Sequence, residues 1–163
     1  MSTISGLPAH VLLVHFVVVL VPMTALLLVM CALWPAARRR LLWLLVALAA
    51  ATVVLTPLTT DAGEWLEHRI GRSPALHTHT HLGDTMIYFV VPMLVIAALI
   101  VALDISERRA GRVRRGLAAV VAILAVASAA ASVVQIYRVG ESGARAVWGD
   151  TVVSAPTAPA DGQ

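Results

Sequence analysis

Six histidines carry most of the chemistry this chain could perform: His10, His15, His68, His77, His79 and His81. Imidazole is the common ligand for haem iron and for several transition metals, and it titrates closest to neutral pH. None of the six falls in the two arginine-rich segments of the chain.

Spacing divides the histidines into candidate roles. Ser73-Pro74 reads as a helix N-cap followed by proline at the first helical position. A helix starting there puts His77, His81, Asp84 and Tyr88 on one face, at i, i+4, i+7 and i+11, and points His79 elsewhere. An i, i+4 histidine pair can chelate one metal, so His77 and His81, with Asp84 and with Asp61 from the preceding segment, form a candidate metal set. Asp61, Glu64 and His68 would share a face if the helix before them continued past Thr60.

Haem b demands two ligands on opposite faces of the macrocycle, preferably from different helices. His15 and His81 form the best pair, roughly 4–5 Å apart in depth, with His10 a close substitute for His15. His10 and His15 are about 140° apart on one helix and cannot address one axis together. Asp61 and Asp84 would then orient ligand rings through hydrogen bonds. The simpler alternatives are that His15 only bonds across helices and that His77-Thr78-His79-Thr80-His81 is a solvated loop.

These residues must be positioned by membrane-spanning helices. The chain has 163 residues, 60% hydrophobic and 13% charged, against about 25% charged in soluble domains. Four apolar stretches, at about 11–34, 41–60, 85–103 and 117–137, each suffice to cross the hydrocarbon. No alternating strand pattern suggests a barrel, so the expected fold is an all-α integral membrane four-helix bundle over 1–149, with a disordered tail over 150–163. Pro22, Pro57 and Pro92 should kink or loosen three of the spans.

The first basic segment holds Arg38, Arg39 and Arg40; the second holds Arg108, Arg109, Arg112, Arg114 and Arg115. The positive-inside rule assigns both to the cytoplasm, leaving both termini and all six histidines extracytoplasmic. Trp34 and Trp43 would mark the inner interface, and Trp65 and Tyr137 the outer one. Counting outward from the arginines brings Thr60, Asp61, Asp84, Gln135, Ile136 and His15 to about one level. His15 is the unusual member, because Val11 to Val14 extend its apolar run by about 6 Å beyond it. Ala118, Ala122, Ala125, Ala129 and Ser132 form a small-residue face suited to close helix packing or to a homo-oligomer contact. The net charge of +3 comes from topological arginines and does not indicate nucleic-acid binding. Cys31 is the only cysteine, which excludes an intramolecular disulfide, a Cys-x-x-Cys-His haem attachment and an iron–sulfur ligand set from this chain alone.

Several segments are familiar together. Pro8-Ala9-His10-Val11-Leu12-Leu13-Val14-His15-Phe16 resembles the opening motif of a bacterial four-span membrane family, catalogued as domain of unknown function twenty-two thirty-one. The likeness continues through Leu58 to Glu64, through His79 to Thr85 and through Arg138 to Trp148, and covers roughly residues 6–149. The resemblance implies a multi-pass protein of the bacterial inner membrane. Some members of that family are fused to Rieske domains, which implies a redox setting. His10, His15 and His81 are the histidines that match, whereas His68, His77 and His79 look peculiar to this chain. The chain departs from the family pattern at Ala9 and Val17, where proline is common, and at Glu141, where histidine is common.

Three functions compete on this reading. The first is a redox component with a haem b or transition-metal site near the extracytoplasmic face, served by a separate redox protein or membrane complex. The second is a structural or accessory subunit without catalysis. The third is a proton or metal-ion transporter using His15, Asp61 and Asp84, disfavoured because transporter sites usually lie near the midplane. No serine-nucleophile motif, phosphate-binding glycine loop or His-Glu-x-x-His supports an enzyme with its own turnover.

Overall fold

The computed structural model describes residues 3–4, 7–70, 73–111 and 115–153. Two short strands, β1 (Thr3–Ile4) and β2 (Leu7–Pro8), pair antiparallel at the start. After them the described residues form five helices: α1 (Ala9–Leu33), α2 (Pro35–Ile70), α3 (Pro74–Asp84), α4 (Ile87–Ala110) and α5 (Arg115–Val153). With α3 and α4 taken as one interrupted rod, four helices are long and apolar enough to cross a membrane. The expected all-α four-span bundle is the fold observed.

Two helical hairpins build it. Only Trp34 separates α1 from α2, with Pro35 supplying the fixed φ of a helix start. Gly111 closes α4 in the left-handed conformation at φ 62°, which glycine adopts without a Cβ penalty. Each of α1 and α4 packs against both α2 and α5, so the four rods form a square with α1 diagonal to α4. A two-fold axis down the square would exchange the α1–α2 hairpin with the α3/α4–α5 hairpin.

The helices outrun the length of a single crossing furthest at one end. A span needs about 20 residues, whereas α2 has 36 and α5 has 39. Both begin beside the arginine segments, so their excess length projects at the histidine end. There the start of α1 and all of α3 join them. The continuation of α2 to Ile70 exceeds the expected span by nearly three turns. Likewise α5 runs through Val153, past the expected end of the bundle at 149, while residues 154–163 lie outside the described residues.

Packing is tightest in the arginine half. Leu28, Cys31, Leu45, Ala97, Ile100 and Ala125 form the centre of a continuous apolar cluster. Ala125, Ala129 and Ser132 are buried there, so the small face of the last span packs within the bundle. Threonines knit the middle: Thr24 and Thr52 hydroxyls lie 3.3 Å apart, and Thr52 also donates to the Leu48 carbonyl. Toward the histidine end the core narrows to Val17, Val21, Met86, Val90 and Ile136. Outward faces remain apolar, with Phe16, Leu26, Val54, Val95 and Ile123 exposed, as lipid-facing surfaces must be. All three expected prolines, Pro22, Pro57 and Pro92, are accommodated inside helices.

The break between α3 and α4 has its own supports. Met86 N–H turns to the Gly83 carbonyl, which removes the regular helical partner of the Leu82 carbonyl. Thr85 Oγ1 donates to that carbonyl at 2.8 Å, and buried Gln135 of α5 donates to it at 3.1 Å. Gln135 also donates to Thr85 Oγ1 at 2.9 Å, so one amide ties the interrupted rod to α5. Ser132, one turn earlier, donates to the Phe89 carbonyl.

Candidate functional site

Two histidines face one another where the core gives way. His10 stands in the first turn of α1, and its Nδ1 donates to the Thr59 carbonyl of α2 at 2.9 Å. Gly63 lies one turn further along α2, against the same ring. A Cβ placed there would stand 3.0 Å from both Cε1 and Nδ1 of His10.

The second hairpin repeats the device. His79 of α3 donates from Nδ1 to the Val139 carbonyl and the Ser142 hydroxyl of α5, both at 3.1 Å. Ser142 in turn donates to the Val139 carbonyl at 2.8 Å. Gly143 is one turn beyond Val139, and a Cβ there would stand 3.0 Å from His79 Cε1. Each hairpin therefore contributes one imidazole, one carbonyl that pins its edge, and one glycine that admits its bulk.

A carbonyl can only accept, so both Nδ1 atoms carry the proton and both Nε2 atoms keep a lone pair. The ring centroids are 6.3 Å apart and the planes cross at 81°. Both rings line one cavity of about 330 Å³, whose other walls include Val14, Thr60, Gly83 and Ile136. Val18 and Val147 line it and are themselves exposed, so the cavity reaches the surface of the bundle.

The ligand candidates taken from spacing fall differently. His15 is exposed, bonds the Val11 carbonyl of its own helix, and does not line the cavity. His77 and His81 are exposed on α3 and also stay off the cavity wall. The structure thus brings together His10 and His79, not His15 and His81. The Ser73 cap is present, with Ser73 Oγ accepting from Leu76 N–H at 3.2 Å. The face at i, i+4, i+7 is also real, but His77 and His81 turn outward and only Asp84 at its end reaches the cavity rim. Leu76, His79, Thr80 and Gly83, at i, i+3, i+4 and i+7, form the inward face.

The metal set disperses for the same reason. Asp61 is exposed on the outer side of α2, together with Glu64 and His68, whose ring bonds the Glu64 carbonyl. Asp84 lies on the cavity rim with Thr60. Among the described residues no three histidine, cysteine or carboxylate side chains gather closely enough to hold a metal ion. Of the shared level expected from counting, Thr60, Asp84 and Ile136 do border the cavity. Interior glycines were the available signal for His79: Gly63 and Gly143 sit inside long helices, where glycine costs about 1 kcal/mol relative to alanine and points to a close approach.

The opposite end holds an ion cluster that spacing did not reveal. Arg38 is 5% exposed and Asp104 8% exposed. Arg38 Nη2 donates to Glu107 Oε2 at 2.9 Å, its Nε stands 3.8 Å from Asp104 Oδ1, and Arg108 Nε donates to Asp104 Oδ2 at 2.7 Å. Arg38 is therefore a buried cross-link between α2 and α4 as well as part of a basic segment. Arg39 and Arg40 are exposed, as topological arginines should be, while Arg72, Arg112 and Arg114 lie outside the described residues. Trp34 and Trp43 are exposed near this end and Tyr137 near the other, whereas Trp65, expected beside Tyr137, is half-buried with the Arg69 guanidinium 4.6 Å over its ring.

No curated protein and no solved structure matches the chain. A family model does, over residues 6–156. That match takes in both hairpins, both histidines of the cavity and both glycines beneath them, and the chain belongs to the family described as "Predicted membrane protein (DUF2231)".

Proposed function

We propose that this protein is a membrane redox component that holds one b-type haem between its two hairpins, with His10 and His79 as axial ligands. The observation that carries the reading is the separation of the two rings. The centroids are 6.3 Å apart, a spacing that two imidazoles holding one metal between them by bonds of about 2.0 Å each could adopt.

Three further features support it. Both Nδ1 atoms are spent on backbone carbonyls, the hydrogen bond that metal-ligating histidines usually make with the nitrogen that does not bind. The rings come from different hairpins and share a cavity of about 330 Å³, within the roughly 300–1,000 Å³ of cofactor pockets. The space is far larger than one metal ion needs, and the wall is mostly aliphatic, as a macrocycle requires. When bound, the group supplies one-electron exchange. The chain's own residues orient the ligands, exclude water with Val14, Val17 and Ile136, and leave an edge open near Val147.

Location follows from the arginines. The basic segments lie at the end opposite the cavity, so the positive-inside rule puts the cavity on the extracytoplasmic side of a bacterial plasma membrane. A separate redox protein would exchange electrons there. A reporter fused at Gly111 should score cytoplasmic; a periplasmic score would invert this assignment.

The deciding experiment is an absorption spectrum of detergent-purified protein, oxidised and dithionite-reduced, from cells supplied with haem precursor. The expected result is a Soret band with sharp reduced α and β bands, absent in His10→Ala and in His79→Ala. A preparation that stays colourless after haem addition rejects the reading.

A further inference from the structure

We infer that Gly63 and Gly143 are positioning residues that hold the two imidazole planes near perpendicular, and so set the electronic state of a bound ferric haem. The inference rests on the haem reading above but adds a claim that the reading does not contain. Two imidazoles can ligate one iron at any mutual rotation. Here something selects 81°.

Ring rotation is restrained from two directions at each histidine. The Thr59 carbonyl fixes the Nδ1 edge of His10, while the bare Cα of Gly63 receives its Cε1–Nδ1 side. At His79 the Val139 carbonyl and Ser142 hydroxyl fix Nδ1, and Gly143 receives Cε1. Carbonyl and glycine lie four residues apart on one rigid helix in both cases. A methyl group at either glycine would lie 3.0 Å from ring atoms, tighter than nine in ten such contacts, so the ring or its helix must give by a few tenths of an ångström. The imidazole would have to rotate, or its helix would have to withdraw.

Rotation matters because of how imidazole meets iron. The plane of an axial imidazole contains the iron–nitrogen axis, so the angle between ring planes is the angle between the two ligand planes. Each ring donates π density into the iron d orbital perpendicular to its plane. Parallel rings raise the same orbital and split it from its partner. Perpendicular rings raise one each, leaving the two nearly degenerate. The unpaired electron of low-spin ferric iron then keeps large orbital angular momentum, which pulls one g value far above the free-electron value.

Electron paramagnetic resonance of the oxidised, haem-loaded full chain at liquid-helium temperature tests this. The wild-type protein should give a single broad low-field feature. Gly63→Ala and Gly143→Ala should shift it to a three-line rhombic spectrum, or lose haem while keeping their helical circular dichroism. A three-line spectrum in the wild type overturns the inference and leaves the haem reading intact. So does an unshifted low-field feature in both variants. If both variants fail to fold, the wild-type line shape alone decides. Absence of the reduced α band in the wild type removes haem altogether, and the inference with it.

Discussion

The two ends of this bundle use their polar groups in opposite ways. At the arginine end, Arg38, Asp104, Glu107 and Arg108 neutralise one another across α2 and α4, and the apolar core closes directly behind them. At the histidine end, His10 and His79 each satisfy one nitrogen and keep the other, and the core behind them opens into a cavity. The first cluster pairs its charges across two helices, although Arg38 Nε and Nη1 keep no hydrogen-bond partner. The second is a pair of imidazoles beside a cavity, each with Nδ1 bonded to a carbonyl, and it is there that the proposed haem would sit. Burial alone would have drawn attention to the wrong end.

The sharpest way to break this comparison is to exchange the expected losses. His79→Ala should abolish haem absorption entirely while removing only hydrogen bonds worth about 1 kcal/mol to the empty bundle. His15→Ala and His81→Ala should keep the full spectrum, because neither ring lines the cavity. If His81→Ala bleaches the protein and His79→Ala does not, the pairing described here is wrong.

Arg38→Met is the mirror experiment. Removing one member of a buried ion cluster costs about 3–5 kcal/mol, to be read as a lowered unfolding midpoint in detergent, with the α band unmoved. An unchanged midpoint would mean that the cluster is ornamental, and a lost α band would mean that the two ends are not independent.

Gln135→Ala lies between the two regions and should disturb both slightly. It strips the Leu82 carbonyl and Thr85 hydroxyl of one partner each, although they stay bonded to one another, at about 0.5–1.5 kcal/mol for each hydrogen bond lost. Because Leu82 follows His79 within α3, haem affinity should fall modestly along with stability. Titration of the variant with haem checks this; an unaltered affinity would show that the other contacts of α3 with α5 and α2 position it.

Much of the scaffold was legible in the residues. Apolar length identified four spans, Ser73-Pro74 announced the start of α3, and counting from the arginines found the level at which Thr60, Asp84 and Ile136 meet the cavity. The pairing of His10 with His79 at the cavity was not legible, for a physical reason. Helical periodicity states which residues share a face but not which face is inward. That choice is normally read from apolar contrast, and α3 offers little: Leu76, Thr80 and Gly83 on its inner side are hardly more apolar than its outer side. His77 and His81 drew attention by their spacing, and His15 by its depth. His79 is identified only by what receives it, a glycine and a carbonyl sixty residues later. Asp104 was invisible for a related reason, since its importance depends on Arg38 from another helix.

The division of the cavity between hairpins also bears on how the protein is made. The half-site of His10, Thr59 and Gly63 is complete once the first hairpin has entered the membrane. The half-site of His79 waits for Val139 and Gly143, near the end of the final described helix. A nascent chain arrested before that helix can present one imidazole but never the opposed pair. Closure of the cavity is thus a late event in biogenesis, and its completion is a built-in report that both hairpins have been inserted and have met.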